Sequence, residues 1–209
     1  MIQMNMRVEF GSLFRELEAL PQRVADKVVA RALNNTIDQG RTQMAREISR
    51  EFAVTREKAY NNLTVTHART SKGTLRLEVE LSASNLRNKR EGRSMNLIAF
   101  VENKVSLAQA RRRKRDGTQN VLRVKIKRKG SAKMIRNAFI ATNKKSGGTA
   151  VFERVGKSRY PIEAKTTIGI PSMFNTRRIN ELVRRVMRER FAVNFARHKR
   201  SAAGGWIKS

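Results

Sequence analysis

Residues 21–50 read PQRVADKVVARALNNTIDQGRTQMAREISR, and this stretch decides the fold. Pro21 suits the first turn of a helix, because the N–H group that proline lacks would have no partner there. Gly40 lowers the helix propensity in the middle of the stretch and predicts a bend at that point. Apolar residues recur at the i, i+4 spacing of an amphipathic helix: Val24, Val28 and Ala32, with Ala25, Val29 and Leu33 beside them.

A period of two replaces the helical spacing in the middle of the chain. One half-buried strand is predicted where four apolar residues alternate with charged ones: Leu75, Leu77, Val79 and Leu81. The apolar run Asn96–Val101 follows in the same strand-rich part. Two further runs, 138–142 and 149–155, flank the sequence NKKSGG, which predicts a β-hairpin with that sequence as its loop.

The helical spacing returns after Asn175. Its apolar stripe comprises Ile179, Leu182, Val183, Val186, Met187, Phe191 and Phe195. The order of helix, strands and helix predicts an α+β fold, in which a long N-terminal helix and a C-terminal helix pack on a mostly antiparallel sheet. We expect one domain over residues 1–200, with a basic extended loop near 103–120, and a flexible tail over 201–209.

The composition limits the functions that the chain can have. Its 209 residues include 46 Lys and Arg against 17 Asp and Glu, which gives a formal net charge of +29. Such a charge predicts an anionic partner, such as nucleic acid or an acidic protein. Because the chain has no Cys and two His, we expect no disulfide, no metal site and no cofactor. No apolar run approaches the ~18 residues of a membrane-spanning helix, so no membrane span is predicted.

The positive charge is concentrated in the middle and at the end of the chain. Residues 87–136 contain seventeen basic and three acidic residues, whereas residues 1–50 contain eight and six. The densest part is the run Arg111, Arg112, Arg113, Lys114 and Arg115. A solvated loop without a partner remains an alternative for that run. A predicted strand adds a basic face opposite its apolar face: Arg123, Lys125 and Lys127. These eight side chains are the candidates for contact with phosphate or carboxylate groups.

No aromatic residue lies between Val101 and Arg136. Proteins that bind single-stranded nucleic acid place aromatic side chains beside their basic groove, so that bases can stack on them. We therefore expect contacts that depend on charge and not on base identity. The sequence also shows no nucleophile–base pair and no carboxylate cluster with histidine, so an enzyme such as a nuclease is the least favoured class.

The stretch 152–174, FERVGKSRYPIEAKTTIGIPSMF, is followed by a basic amphipathic helix. In this it resembles the phage minor tail protein Z family. The resemblance marks six motif positions as structural or interface candidates: Arg154, Gly156, Lys157, Arg159, Tyr160 and Pro161. Pro171, a second turn-like proline before a helix, also fits. Phe195 and Trp206 are further candidates, as apolar side chains for docking on a neighbouring subunit.

The resemblance implies a structural virion protein that completes the head-proximal end of a phage tail. It implies neither catalysis nor a cofactor. It further implies an oligomeric ring at the head–tail junction, most simply a hexamer, with tail-tube, tail-terminator or head-completion proteins as neighbours. The genome end or acidic neighbouring rings would supply the anionic partner in the virion, and assembly would take place in the host cytoplasm. The alternative is a free-standing basic protein that binds nucleic acid without sequence preference.

Overall fold

The structure, a computed structural model, describes residues 2–6, 20–71, 74–76, 78–83, 94–102, 121–136, 138–142, 147–156 and 161–204. It confirms the α+β fold class, because long helices and small antiparallel sheets occur together. The chain divides into two compact units. The first comprises residues 1–47, 60–84 and 174–209, and the second comprises residues 48–59 and 85–173.

The helices differ in length and begin where the sequence allows. In chain order they are α1 (Gln22–Glu51), α2 (Arg56–Asn61), a 3-10 helix (Leu97–Phe100), α3 (Ile170–Phe174) and α4 (Arg177–Ala203). Pro21 directly precedes α1, and its carbonyl oxygen accepts hydrogen bonds from the N–H groups of Val24 and Ala25. The predicted role of Pro21 at the start of the helix is therefore confirmed.

The strands form small sheets, and every pairing among the described strands is antiparallel. The first unit contains β1 (Ile2–Met6), β2 (Leu63–Thr66), β3 (Arg69–Ser71), β4 (Thr74–Arg76) and β5 (Val79–Ala83). The second contains β6 (Ser94–Asn96), β7 (Val121–Val124), β8 (Lys133–Arg136), β9 (Ala138–Thr142), β10 (Thr149–Arg154), β11 (Ile162–Ala164) and β12 (Thr166–Ile168).

The three-stranded sheet of the first unit has the order β1-β5-β2, with β5 at its centre. Val79, Leu81 and Ala83 of β5 are buried, as expected for a central strand. The single strand predicted over 75–81 is wrong, because the run divides between β4 and β5. β4 pairs with β3, whereas β5 pairs with β1 and β2, and the alternation of apolar residues carries no information about which strand each half will pair with.

The two long helices of the first unit, α1 and α4, pack antiparallel. Asn194 and Thr36 are both buried, and Nδ2 of Asn194 donates to Oγ1 of Thr36 at 3.0 Å. Oγ1 of Thr36 in turn donates to the carbonyl oxygen of Ala32 at 2.7 Å. This chain of hydrogen bonds satisfies polar groups that would otherwise be costly to bury. Asn35 and Gln39 of α1 make further polar contacts with His198 and Asn194 of α4. The apolar stripes predicted for both helices are largely buried.

Gly40 faces Met187 of α4, within an unbroken helix. A Cβ atom at this position would lie 2.7 Å from Sδ and 2.9 Å from Cγ of Met187, a buried residue of α4. Gly40 does not break the helix, because α1 continues through it from Gln22 to Glu51. The glycine leaves room for the side chain of Met187, and the bend expected there stays a prediction.

In the second unit, the three-stranded sheet has the order β11-β10-β9. The hairpin predicted around NKKSGG is confirmed, because β9 and β10 pair in register from Thr142 opposite Thr149. Asn96 joins this sheet to the β6–β12 pair in the way that a peptide group would. Its Oδ1 accepts from the N–H of Val151 at 2.9 Å, and its Nδ2 donates to the carbonyl of Val151 at 3.2 Å.

Three further predictions about elements are corrected. The run Asn96–Val101 is mainly a 3-10 helix, because Oδ1 of Asn96 accepts from the N–H of Ile98 and caps it, while Leu97 and Phe100 are buried three residues apart. Pro171 lies in the first turn of α3, where proline is tolerated. The flexible tail predicted over 201–209 is wrong for its first three residues, because α4 continues to Ala203. Residues 205–209 lie outside the described part of the chain.

The close approach at Gly40 predicts a coupled effect of two substitutions. Gly40→Leu should lower the free energy of unfolding by about 2 kcal/mol, because the new side chain overlaps Met187 in a packed interface. Adding Met187→Ala should recover part of that loss by vacating the space. Chemical denaturation of both single variants and the double variant measures the coupling. Strictly additive effects would show that the two positions do not share a contact.

His198, near the end of α4, is held by a residue of α1. Nδ2 of Asn35 lies 2.8 Å from Nε2 of His198. Burial lowers the pKa of His198 below its ordinary value of 6.5, and the positive charges of Arg197 and Arg31 lower it further. A neutral imidazole can accept the Asn35 N–H at Nε2, so this hydrogen bond requires the unprotonated histidine.

The lowered pKa of His198 predicts a loss of stability on acidification. As the pH falls from 6.5, the unfolded chain binds the proton before the folded chain does, so the free energy of unfolding decreases. His198→Gln should reduce this decrease, because an amide does not titrate in this range. Thermal unfolding of both proteins between about pH 7.5 and about pH 5.5 measures the difference. An equal decrease in both proteins would assign the effect to other groups.

Candidate anion-binding surface

The basic strand predicted from the sequence corresponds in part to β7, which forms an antiparallel hairpin with β8. Because β7 ends at Val124, Arg123 lies in the strand, whereas Lys125 and Lys127 follow it. Residues 121–136 are called the basic hairpin below. Leu122 and Val124 are buried, which confirms the apolar face of the strand, and Arg123 is exposed on the opposite face. Arg123 pairs in register with Met134, which is 69% exposed. The exposed face of the hairpin therefore combines positive charge with one unbranched apolar side chain.

Hydrogen bonds from two other segments of the second unit hold the backbone of the basic hairpin. On one side, the N–H of Lys125 donates to the carbonyl of Phe100 at 2.9 Å. On the other, the N–H of Arg128 donates to the carbonyl of Glu51 at 2.9 Å, and Nε of Arg128 donates to the carbonyl of Ser49 at 2.6 Å. The charges are therefore carried on a backbone that is ordered before any partner binds, which lowers the entropic cost of binding.

The basic hairpin contains seven basic residues and no acidic residue: Arg123, Lys125, Lys127, Arg128, Lys129, Lys133 and Arg136. All are exposed except Lys125, which is half-buried. Nζ of Lys127 lies 3.9 Å from Oε1 of Glu51, a distance at which the ion pair leaves most of the ammonium group in solvent. The surface can thus bind anions such as phosphate or carboxylate groups through their charge.

An open depression of about 260 Å³ lies beside the basic hairpin in the second unit. Lys125, Arg128 and Glu102 bring charges of both signs to its lining, and Phe100 and Val101 contribute apolar atoms. Mixed charges of this kind favour a protein segment over a free anion. Among the described residues, no group of three or more His, Asp or Glu side chains is placed to hold a metal ion.

The remaining predicted site residues are only partly described. Arg111, Arg112, Arg113, Lys114, Arg115, Lys157, Arg159, Tyr160 and Trp206 lie outside the described residues, and their roles stay predictions. Gly156 and Pro161 are exposed. Pro161 directly precedes β11. Its carbonyl oxygen accepts a hydrogen bond from the N–H of Val155 at 3.3 Å.

Arg154 and Phe195 lie in different environments. Arg154 is exposed on β10, with its guanidinium 5.3 Å from the ring centroid of Phe139. Phe195 is 3% exposed and stacks on Phe191 with 6.0 Å between the ring centroids. The expectation that the Phe195 ring is free to dock on a neighbour is therefore corrected: α4 turns its apolar stripe into its own unit.

The motif strand β10 also carries an acidic group that the sequence reading passed over. Glu153 lies opposite Glu163 of β11, which places two like charges side by side. Lys165 forms an ion pair with Glu153. The hydrogen bond to Glu153 raises the pKa of Lys165, and the charges of Glu153 and Glu163 add to this rise against the opposing effect of burial. Lys165 therefore offsets the repulsion between the two carboxylates.

Sequence reasoning identified three of the seven basic residues of the hairpin. Arg128, Lys129, Lys133 and Arg136 were missed because they lie in the turn and in β8, beyond the alternating run. A count of charges in a window would have found them, since residues 121–136 include no Asp or Glu. None of the helices in the described part of the chain is both long and apolar enough to cross a bilayer.

Comparison with known protein families adds an independent observation. The model of the family described as prophage minor tail protein Z matches residues 12–200. The chain belongs to this family. The match covers the motif stretch 152–174 and nearly all of the two long helices, so it confirms the resemblance and extends it to most of the chain. Comparisons with curated proteins and with solved structures gave no match.

Membership of the minor tail protein Z family makes the chain a structural protein of the phage tail, and hence of the virion. It also points to other tail proteins as partners. The basic hairpin lies within the residues that match the family model. Its exposed charge is therefore part of the family domain and not of a segment outside the match.

Removing charge from the basic hairpin should weaken DNA binding and flatten its salt dependence. For the triple variant Lys127→Gln, Lys129→Gln and Lys133→Gln, the slope of log K against log salt should fall by about 2 to 3 on duplex DNA of mixed sequence. The thermal midpoint should change little, because all three side chains are exposed.

A matched control removes the same charge outside the hairpin, at exposed positions of the same chain: Arg23→Gln, Arg56→Gln and Arg69→Gln. Its salt slope should stay closer to that of the unmodified protein. Equal slopes for the two triple variants would mean that DNA responds to the net charge alone and does not select the hairpin.

Proposed function

We propose that this minor tail protein Z family member completes the head-proximal end of the phage tail as an oligomeric ring, most simply a hexamer. The protein acts by assembly and not by catalysis, and needs no cofactor. Its basic hairpin contacts the end of the genome where the DNA enters the tail. Assembly takes place in the host cytoplasm, and the tail-tube, tail-terminator or head-completion proteins are its neighbours.

The basic hairpin is the observation that carries this proposal. Seven basic side chains lie on a backbone that two other segments hold by hydrogen bonds, so the charges occupy defined positions. Contact with a passing duplex requires charge without base recognition, because every position along the genome end presents the same phosphates. The residues of the hairpin fit this requirement, since none of residues 121–136 is aromatic and four of the seven basic residues are lysines.

The net charge gives the ring a physical requirement. Each copy carries +29, so six copies in contact would repel one another strongly in the absence of counter-charge. DNA in the channel or acidic neighbours would supply that counter-charge. Assembly of the ring would then be coupled to the presence of its partners, which favours addition of the protein to a nearly complete tail over self-assembly in solution.

The alternative is a free-standing basic protein that binds nucleic acid, and it predicts a different state. Such a protein would use the same hairpin but stay monomeric and bind DNA apart from tails. Residues 12–200 match a tail protein family, which favours the tail assignment over this alternative.

The ring proposal predicts about six copies of the protein per tail. Quantitative mass spectrometry of purified tails, with the tail-tube protein as internal standard, counts the copies. Cryo-electron microscopy of tails that carry an affinity-labelled chain gives the location, which we expect at the head-proximal end. One or two copies per tail, or a label along the tube or at the distal tip, would contradict the proposal.

A further inference from the structure

The outward face of α4 has a composition that its own unit does not explain. Ala192, Val193 and Ala196 are exposed there, and Val193 is 60% exposed. Ala196 follows Val193 by three residues and Ala192 by four, so it neighbours both on the helix surface. The three residues lie on the side of α4 away from the buried stripe that contains Phe191. A β-branched residue on a solvent-exposed helix face lowers helix propensity and gains nothing from packing in the free chain.

Arginines surround this small apolar centre. Arg190 and Arg197 lie three residues before and four residues after Val193, and Arg185 and Arg200 extend the same face towards the two ends of the helix. All four are exposed, and none forms an ion pair with a residue that the structure describes. The one acidic residue on this face is Glu189. These residues together are called the Val193 surface.

We propose that the Val193 surface docks an acidic protein of the phage tail, with an apolar contact at Val193 and arginine–carboxylate pairs around it. An apolar centre with a rim rich in arginine is the usual composition of a protein–protein interface. Arginine also suits carboxylates because its planar group forms two parallel hydrogen bonds. This inference rests on the place of the chain in the tail, but not on the ring.

Charge decides between the candidate occupants. A second copy of the chain would bring four more arginines against the first four, and like charges across an interface oppose binding. Duplex DNA would satisfy the arginines but would leave Val193 and the two alanines facing phosphates. An acidic protein surface with an apolar patch satisfies both parts of the Val193 surface.

The chain offers a matched pair of positions for the test. Arg184 and Arg185 are adjacent, exposed and chemically identical, but Arg185 lies on the Val193 surface and Arg184 lies on the other flank of α4. Arg185→Glu and Arg184→Glu therefore make the same change in charge at nearly the same height on the helix. Val193→Asp tests the apolar centre, and Val193→Thr does so with almost no change of shape.

The probe is a preparation of tails purified from phage that lack this gene, to which the purified protein is added back. Sedimentation measures the bound fraction at several protein concentrations. We expect Val193→Asp and Arg185→Glu each to weaken binding at least about tenfold, as is typical of central interface residues. Arg184→Glu should stay within about twofold, and Val193→Thr should lie between. Thermal midpoints of all four variants should match that of the unmodified protein, because every position is exposed.

Several outcomes would overturn the inference. If Val193→Asp bound to tails as tightly as the unmodified protein, Val193 would not form the proposed apolar contact. Equal losses of tail binding for Arg184→Glu and Arg185→Glu would show that binding depends on the overall positive charge of α4 and not on a defined surface. A change in the native mass of the isolated protein on Val193→Asp would identify a second copy as the occupant, and a loss of duplex DNA binding on Arg185→Glu alone would identify DNA. The copy number per tail tests the ring proposal separately. If that proposal fails, the binding comparisons between the variants of α4 remain valid.

Discussion

A formal charge of +29 on 209 residues is the constraint under which this chain folds, and no lysine or arginine whose burial the structure describes is fully buried. Arg41 is half-buried, with its guanidinium over the ring of Tyr60. The buried polar residues are instead mostly neutral and hydrogen-bonded, as in the Thr36–Asn194 contact between α1 and α4. Because buried unpaired charge is far more costly than a buried amide or hydroxyl, this arrangement lets apolar burial outweigh repulsion among the exposed charges. The same arrangement leaves the positive charge available to partners.

The exposed charge is organised differently in the two units. In the second unit it lies on a short hairpin that is rich in lysine and held by backbone hydrogen bonds to residues 49–51 and to Phe100. In the first unit it lies along α4, which has eight arginines and one lysine and an exposed apolar centre at Val193. A structural tail protein must contact more than one neighbour, and two basic surfaces of different chemistry allow those contacts to be distinguished.

Much of the fold follows from local pattern. The i, i+4 spacing from Val24 to Ile48 and from Ile179 to Phe195 specified the two long helices, because each needs one apolar face to bury. The alternation in Leu122 and Val124 likewise identified β7 and its exposed Arg123. The family assignment came from the motif at 154–162, whose local sequence is distinctive. These features depend on neighbouring residues in the chain, which is the information that a single sequence contains.

The sequence by itself determined the fold class, the long helices and the hairpin of β9 and β10, and its net charge predicts an anionic partner. Only the tertiary structure decided that Gly40 makes room for Met187, that Phe195 is buried while Val193 is exposed, and that residues 75–81 divide between two sheets. The same structure extended the basic surface to Arg128 and Lys133. Each of these depends on which distant segment lies opposite a residue, and neither periodicity nor composition contains that information, since both describe a segment without its partners.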